Sequence, residues 1–311
     1  MLKIVLLMFG FVMLLIQHFI PFETSVQSII FIVGILIVGV PHGAADFLVA
    51  SQNALLTEKV FSTKKFFTVY LGRLILFGLV LSIFPLVGII LFLFFAAFHF
   101  GETDLHKFKT NTLLGKILVI TYGVVILSVI VLHHFDEVIP ILRLFEAGKQ
   151  SYDVINWFSQ KRYLILSING IIFFISTFIY FLKNSQIDEI DKGQFLIRFA
   201  LILFILFNLP MLMGFTFYFV LWHSILSLKN IVLYLRKKNT VTYKTIAKQI
   251  LLYSFIALLG IFLFGLSGFM FVNENSTTAY IFIGLAVLTA PHMEIMYEMY
   301  GAIRQKKQVS L

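Results

Sequence analysis

The sequence predicts an all-α, polytopic integral membrane protein of about ten transmembrane helices. Three observations predict it. Of the 311 residues, 60% are hydrophobic and only 13% charged, with mean hydropathy +0.98; a soluble domain has about 25% charged and about 45–50% apolar residues. The apolar residues are gathered into runs close to the ~20 residues that a helix needs to cross a bilayer. Lys and Arg, 24 against 15 acids, lie mostly in short stretches between those runs, where they fix membrane orientation. Membrane lipid is therefore an expected partner and nucleic acid is not. Cysteine is absent, which excludes disulfides, thiolate metal sites and cysteine nucleophiles.

Taken in order, residues 3–20 form a retained first span, because Ile4–Ile20 lacks the small-residue cleavage site of a secretory signal. Further spans are expected at 27–49, 66–84, 86–104, 113–134, 162–182, 195–209, 211–230, 247–271 and 279–299. Pro85 and Pro210 divide two long apolar stretches into tight helical hairpins, since proline disrupts a helix interior and restricts its predecessor. The outer connection Asp136–Gln160 contains "VIPILRLF", which reads either as an interfacial helix beside the mouth of a site or as an ordinary packed loop. Lys59, Lys64 and Lys65 share one side with Lys107 and Lys109 and with Arg236, Lys237, Lys238 and Lys244. Lys3 and the tail with Arg304, Lys306 and Lys307 join them, which predicts both termini in the cytoplasm. Lys161 and Arg162, on the outer side, argue against that orientation. Residues 1–311 read as one transmembrane helical domain, expected as a multi-pass protein of the cell (plasma or inner) membrane.

Eight histidines are distributed unevenly over these spans. His18, His106, His133 and His134 lie near span ends, where headgroups and water solvate them. His42, His99, His223 and His292 instead fall inside the second, fourth, eighth and tenth spans, each about fourteen residues past the outer end of an inward-running helix. At ~1.5 Å per residue they share one layer about 20 Å below the outer edge of the hydrocarbon. A lone buried histidine is more often a hydrogen-bonded helix contact than a ligand. Four at one depth are different: polar groups there face the bundle interior, neutral imidazoles are the affordable form, and one metal ion satisfies all of them. The expected site therefore lies between helices 2, 4, 8 and 10. Asp46 follows His42 by four residues and Glu102 follows His99 by three, so each carboxylate is expected on its histidine's face, as an outer shell accepting the second ring N–H. Asp104, Glu294 and Glu298 read as helix contacts or interfacial groups. Gly43 and Gly101 adjoin the histidines and allow a neighbouring helix or a substrate to approach.

All-imidazole ligation suits iron, copper or zinc. The His-Glu-x-x-His motif of zinc hydrolases is missing, and so are the His-x-x-His-His clusters of membrane di-iron desaturases. Two rivals stay open: a haem-binding electron carrier with paired axial histidines, and a transporter using histidine and aspartate as a proton relay.

Four stretches, "PHGAAD" (Pro41–Asp46), "FHFGETD" (Phe98–Asp104), "WHS" (Trp222–Ser224) and "APHM" (Ala290–Met293), resemble in order and spacing the Brp/Blh family of membrane β-carotene 15,15′-dioxygenases. The likeness in span layout covers nearly the whole chain. The resemblance implies an Fe(2+)-dependent enzyme that splits the central double bond of β-carotene with O2 into two retinals, with hand-over of retinal to a rhodopsin as a partner expectation. It implies iron ligands at His42, His99 and His223. One departure stands out: relatives often carry a second histidine four residues after the one in the His-Ser motif, and Ser227 occupies that position here. His292 is the replacement its depth recommends; a three-histidine site is the alternative.

Overall fold

The computed structural model describes residues 1–143, 149–236, 241–264 and 277–309, and among these the regular structure is entirely helical. We number the helices α1 (Leu2–Phe19), α2 (Thr24–Leu56), α3 (Thr63–Ile83), α4 (Pro85–Leu105), α5 (Leu113–His133) and α6 (Phe135–Arg143). They continue as α7 (Lys149–Lys183), α8 (Glu189–Asn208), α9 (Met211–Leu235), α10 (Tyr243–Phe264) and α11 (Thr277–Val309). Seven of them, α1–α5, α7 and α9, are long and apolar enough to cross a membrane by length and composition. The other three expected spans coincide with α8, α10 and α11; α8 carries Asp191, Lys192 and Arg198, which dilute its apolar character. The expected end of the ninth span, 265–271, lies outside the described residues.

Local chemistry explains the boundaries. Pro85 is the first residue of α4, and Phe84 alone separates it from α3; Pro210 stands immediately before α9. Both positions suit a residue with no N–H to donate. Side chains cap the polar helix starts: Ser62 accepts from Lys65 N–H, Thr112 from Gly115 N–H and Asp188 from Ile190 N–H. The first residues of "VIPILRLF" form the last turns of α6, whereas Leu144 and Phe145 lie outside the described residues.

Apolar side chains such as Ile75, Leu76, Phe178, Leu251 and Phe255 are exposed on α3, α7 and α10, as helices facing lipid require. At the centre stands α9, whose most apolar stretch is 78% buried against 11% for α3. Close helix contact needs small residues, and α4 against α5 shows it. A Cβ on Gly101 would collide with the Val119 carbonyl, and one on Gly123 with that of Ala97. Gly43 differs: no atom lies within 4 Å of a Cβ built there. Among the described residues three helices contain a π-helical stretch, at Ile35–Gly39 in α2, Val129–His133 in α5 and Thr216–Ser224 in α9. Such turns re-aim the side chains around them and are frequent at functional sites.

Candidate metal centre

Two of the π turns bear on the histidines. His42 follows the one in α2 by three residues, and His223 lies within the one in α9. His99 comes from α4 and His292 from α11, one residue after Pro291. All four side chains belong to buried residues, the most accessible being His292 at 8%. Their rings meet. His99 Nε2 is 3.0 Å from His223 Nε2, and His42 Nε2 is 2.8 Å from His292 Nε2. The ligating nitrogens of His42, His99 and His223 all lie within 4.8 Å of one another, an arrangement able to hold a metal ion. His292 closes the group, with its ring centroid 4.4 Å from that of His42 and 4.8 Å from that of His99.

The partners of these rings differ from the expectation. Asp46 does not hold His42. A turn at Ala45 interrupts α2, so the four-residue spacing does not carry the carboxylate to the ring on its own helix. Asp46 Oδ1 instead accepts from His292 Nδ1 at 2.7 Å, and Oδ2 accepts from the Tyr70 hydroxyl at 2.9 Å. A carboxylate only accepts, so His292 Nδ1 donates to it, and Nε2 of that ring faces the cluster. Glu102 is corrected likewise: it turns to α11, where Arg304 Nη2 donates to Oε1 at 3.0 Å, and it does not touch His99. Nδ1 of His42 and of His99 finds no partner among the described residues. In both cases the carboxylate takes a donor from another helix, His292 or Arg304 of α11.

The remaining groups are structural. Asp104 accepts from Tyr122 (2.7 Å), Tyr218 (3.1 Å) and Trp222 Nε1 (2.9 Å), which ties α4 to α5 and α9 one residue before His223. Glu294 pairs with Arg73, and Glu298 accepts from Asn53 at 2.8 Å. His133 and His134 contact the Phe207 and Leu206 carbonyls at 3.2 and 3.0 Å, joining α5 to α8. His106, just past α4, places Nδ1 2.7 Å from the Thr103 carbonyl, and burial pushes its pKa down to about 4. Sequence reasoning missed Tyr70, which no spacing singles out among 12 tyrosines. It also counted Arg304 as a tail charge.

The centre opens on a cavity of about 790 Å³, in the upper range of small-molecule sites. Gly43 and the rings of His42, His99 and His292 form part of its wall. Its wall also includes Leu132, Phe135 and Val138 of α5 and α6, and Phe47, Phe66 and Tyr253 of α2, α3 and α10. Nearly everything else in the wall is apolar. A model of the family described as beta-carotene 15,15'-dioxygenase matches residues 33–300. The chain belongs to the beta-carotene 15,15'-dioxygenase family. Comparison with curated proteins and with solved structures found no match. The dioxygenase match takes in all four histidines, Asp46, Tyr70 and Glu102, while α1 and Arg304 fall outside it. The donor set fits the metal its resemblance implies. Imidazole nitrogens without thiolate suit iron, and nitrogens crowded to 2.8–3.0 Å with free Nδ1 atoms behind two of them are what a cation would relieve.

Proposed function

We propose that the protein is an iron(II)-dependent dioxygenase that cleaves the central 15,15′ double bond of β-carotene with O2 to give two all-trans-retinal. Family membership supports the activity. The observation that carries the reading to this site is the meeting of four imidazoles, three of them in the wall of an apolar cavity. In this reading His42, His99, His223 and His292 are the metal ligands, His292 taking the place of the histidine missing at Ser227. Ser227 is fully buried one helical turn past His223, and Glu102 acts on the helix end through Arg304.

Iron(II), when bound, supplies the redox-active centre at which dioxygen is activated. The reaction breaks one C=C bond and makes two C=O bonds from a single O2, so it needs no external reductant and no net proton. That accounts for a wall with so few polar groups. What the chain must do is exclude water, hold a polyene and keep the imidazoles neutral. Gly43 leaves room beside His42 for the reacting bond. The apolar reaches of the cavity wall suit a hydrocarbon polyene. Phe and Tyr rings along these reaches offer their faces to any cationic character on the polyene. Substrate and product are lipid-soluble and would enter and leave through the bilayer, from which a rhodopsin could take the retinal.

The finer topology belongs to the same proposal: ten spans in one domain of the cell membrane, with both termini cytoplasmic. Neither rival gains support. The imidazoles are too close together to admit a porphyrin among them. The proton-relay reading would draw on the same Tyr70–Asp46–His292 chain, but the family match gives it no support.

Expression in cells that accumulate β-carotene tests the reading, with retinal measured by chromatography. Retinal at twice the molar loss of carotene is expected. Undiminished carotene in well-expressed, iron-supplied cells overturns the enzyme reading, and loss of colour without retinal overturns central cleavage.

A further inference from the structure

We infer that Tyr70 is a positioning residue of the metal centre, acting through Asp46 on His292; the inference rests on the metal-site reading above. The histidines are not held alike. His292 Nδ1–H is fixed by Asp46 Oδ1 at 2.7 Å, whereas Nδ1 of His42 and of His99 has no partner among the described residues. The protein itself therefore dictates the tautomer and tilt of His292, as it does not for His42 and His99.

That control is only as firm as the carboxylate behind it. Asp46 is 3% exposed and directly follows the turn at Ala45. Its second oxygen is held by the Tyr70 hydroxyl at 2.9 Å. With donors on both oxygens the carboxylate plane cannot rotate without breaking a buried hydrogen bond, and buried bonds of this kind are costly to leave unmade. Tyr70 belongs to α3, which supplies none of the four histidines. Its hydroxyl thus clamps a further helix to the site. Carboxylates behind ligating histidines typically contribute 10–100-fold to metal affinity, and the tyrosine is the group that keeps this one aligned. The Tyr70 ring also lines the cavity, so a direct role against substrate has to be separated from the role through Asp46.

Metal-stripped, full-length protein titrated with cobalt(II) alone, followed by visible absorption, makes the separation without any turnover. The parent is expected to bind a single ion. Tyr70→Phe, which keeps the ring in the wall, should bind about tenfold more weakly, with Asp46→Asn at least as weak. In the Asp46→Asn background, Tyr70→Phe should change nothing further. The thermal midpoint of metal-free Tyr70→Phe should fall a little, because it strands a buried Asp46 oxygen, and the cobalt-induced rise should be reduced beyond that. Parental affinity in Tyr70→Phe overturns the inference and leaves the metal site standing. So does a loss that persists in full beside Asp46→Asn, or an equal drop in midpoint with and without cobalt. A parent that binds neither cobalt(II) nor iron(II) overturns the metal reading itself.

Discussion

A histidine in a bilayer has to spend its nitrogens on something, and the eight of this chain divide by what they find. His133 and His134 find backbone carbonyls and become helix ties. His42, His99, His223 and His292 find one another. His42→Ala or His99→Ala is therefore expected to abolish retinal formation, and His133→Ala to leave at least half of it, in carotene-accumulating cells with matched expression. Equal losses would mean that depth selected the wrong set. The acids follow the same logic with more at stake. Glu102 and Arg304 form an ion pair with side-chain exposures of 2% and 13%. Arg304→Met strands a buried carboxylate, at an expected cost of about 3–5 kcal/mol, while Arg304→Met combined with Glu102→Leu should recover most of it. Thermal unfolding in detergent measures both, and a double variant no better than the single one would show that the pair is not the source of the loss.

At the scale of the helix, two glycines beside two histidines do opposite things. Gly101 lets α4 lie against the backbone of α5, so Gly101→Val should displace the helix that carries His99 and lower both stability and metal content. Gly43 faces open cavity, so Gly43→Leu should leave folding and metal content near the parental level while cutting cleavage at least tenfold. Metal analysis beside a retinal assay separates the two; a Gly43→Leu protein with parental activity would remove the cavity from the reaction. The π turns explain why such aims were hard to read from spacing. A π turn shifts the angular register of everything after it, and His42 and His223 both follow or occupy one. Asp46, past a second irregularity at Ala45, consequently reaches His292 and not the ring four residues before it.

For the whole molecule, a metal held by four helices, as proposed, would also staple the bundle. Chelator treatment should abolish cleavage, iron(II) should restore it, and the metal should raise thermal stability by about 2.7 kcal/mol at a hundredfold excess over its dissociation constant. A melting point indifferent to metal would argue against ligands on separate helices. Orientation is equally open to test, because the natural chain has no cysteine to blind. Lys59→Cys and Lys107→Cys are expected to label from the cytoplasmic side and Asp136→Cys from the other; the reverse pattern would overturn the charge-based orientation. By itself the sequence determined that the chain is helical and built for a membrane, where Pro85 and Pro210 end helices, and which four histidines share a depth. These follow from composition, local backbone chemistry and the constant rise of a helix, all of which are properties of the chain read one segment at a time. Only the tertiary structure decided that Asp46 serves His292, that Tyr70 stands behind Asp46, that Arg304 answers Glu102 and that Gly43 looks into a cavity. Those are choices among donors and spaces offered by other helices, and a side chain buried away from water takes the best partner within reach, however far away in sequence that partner lies.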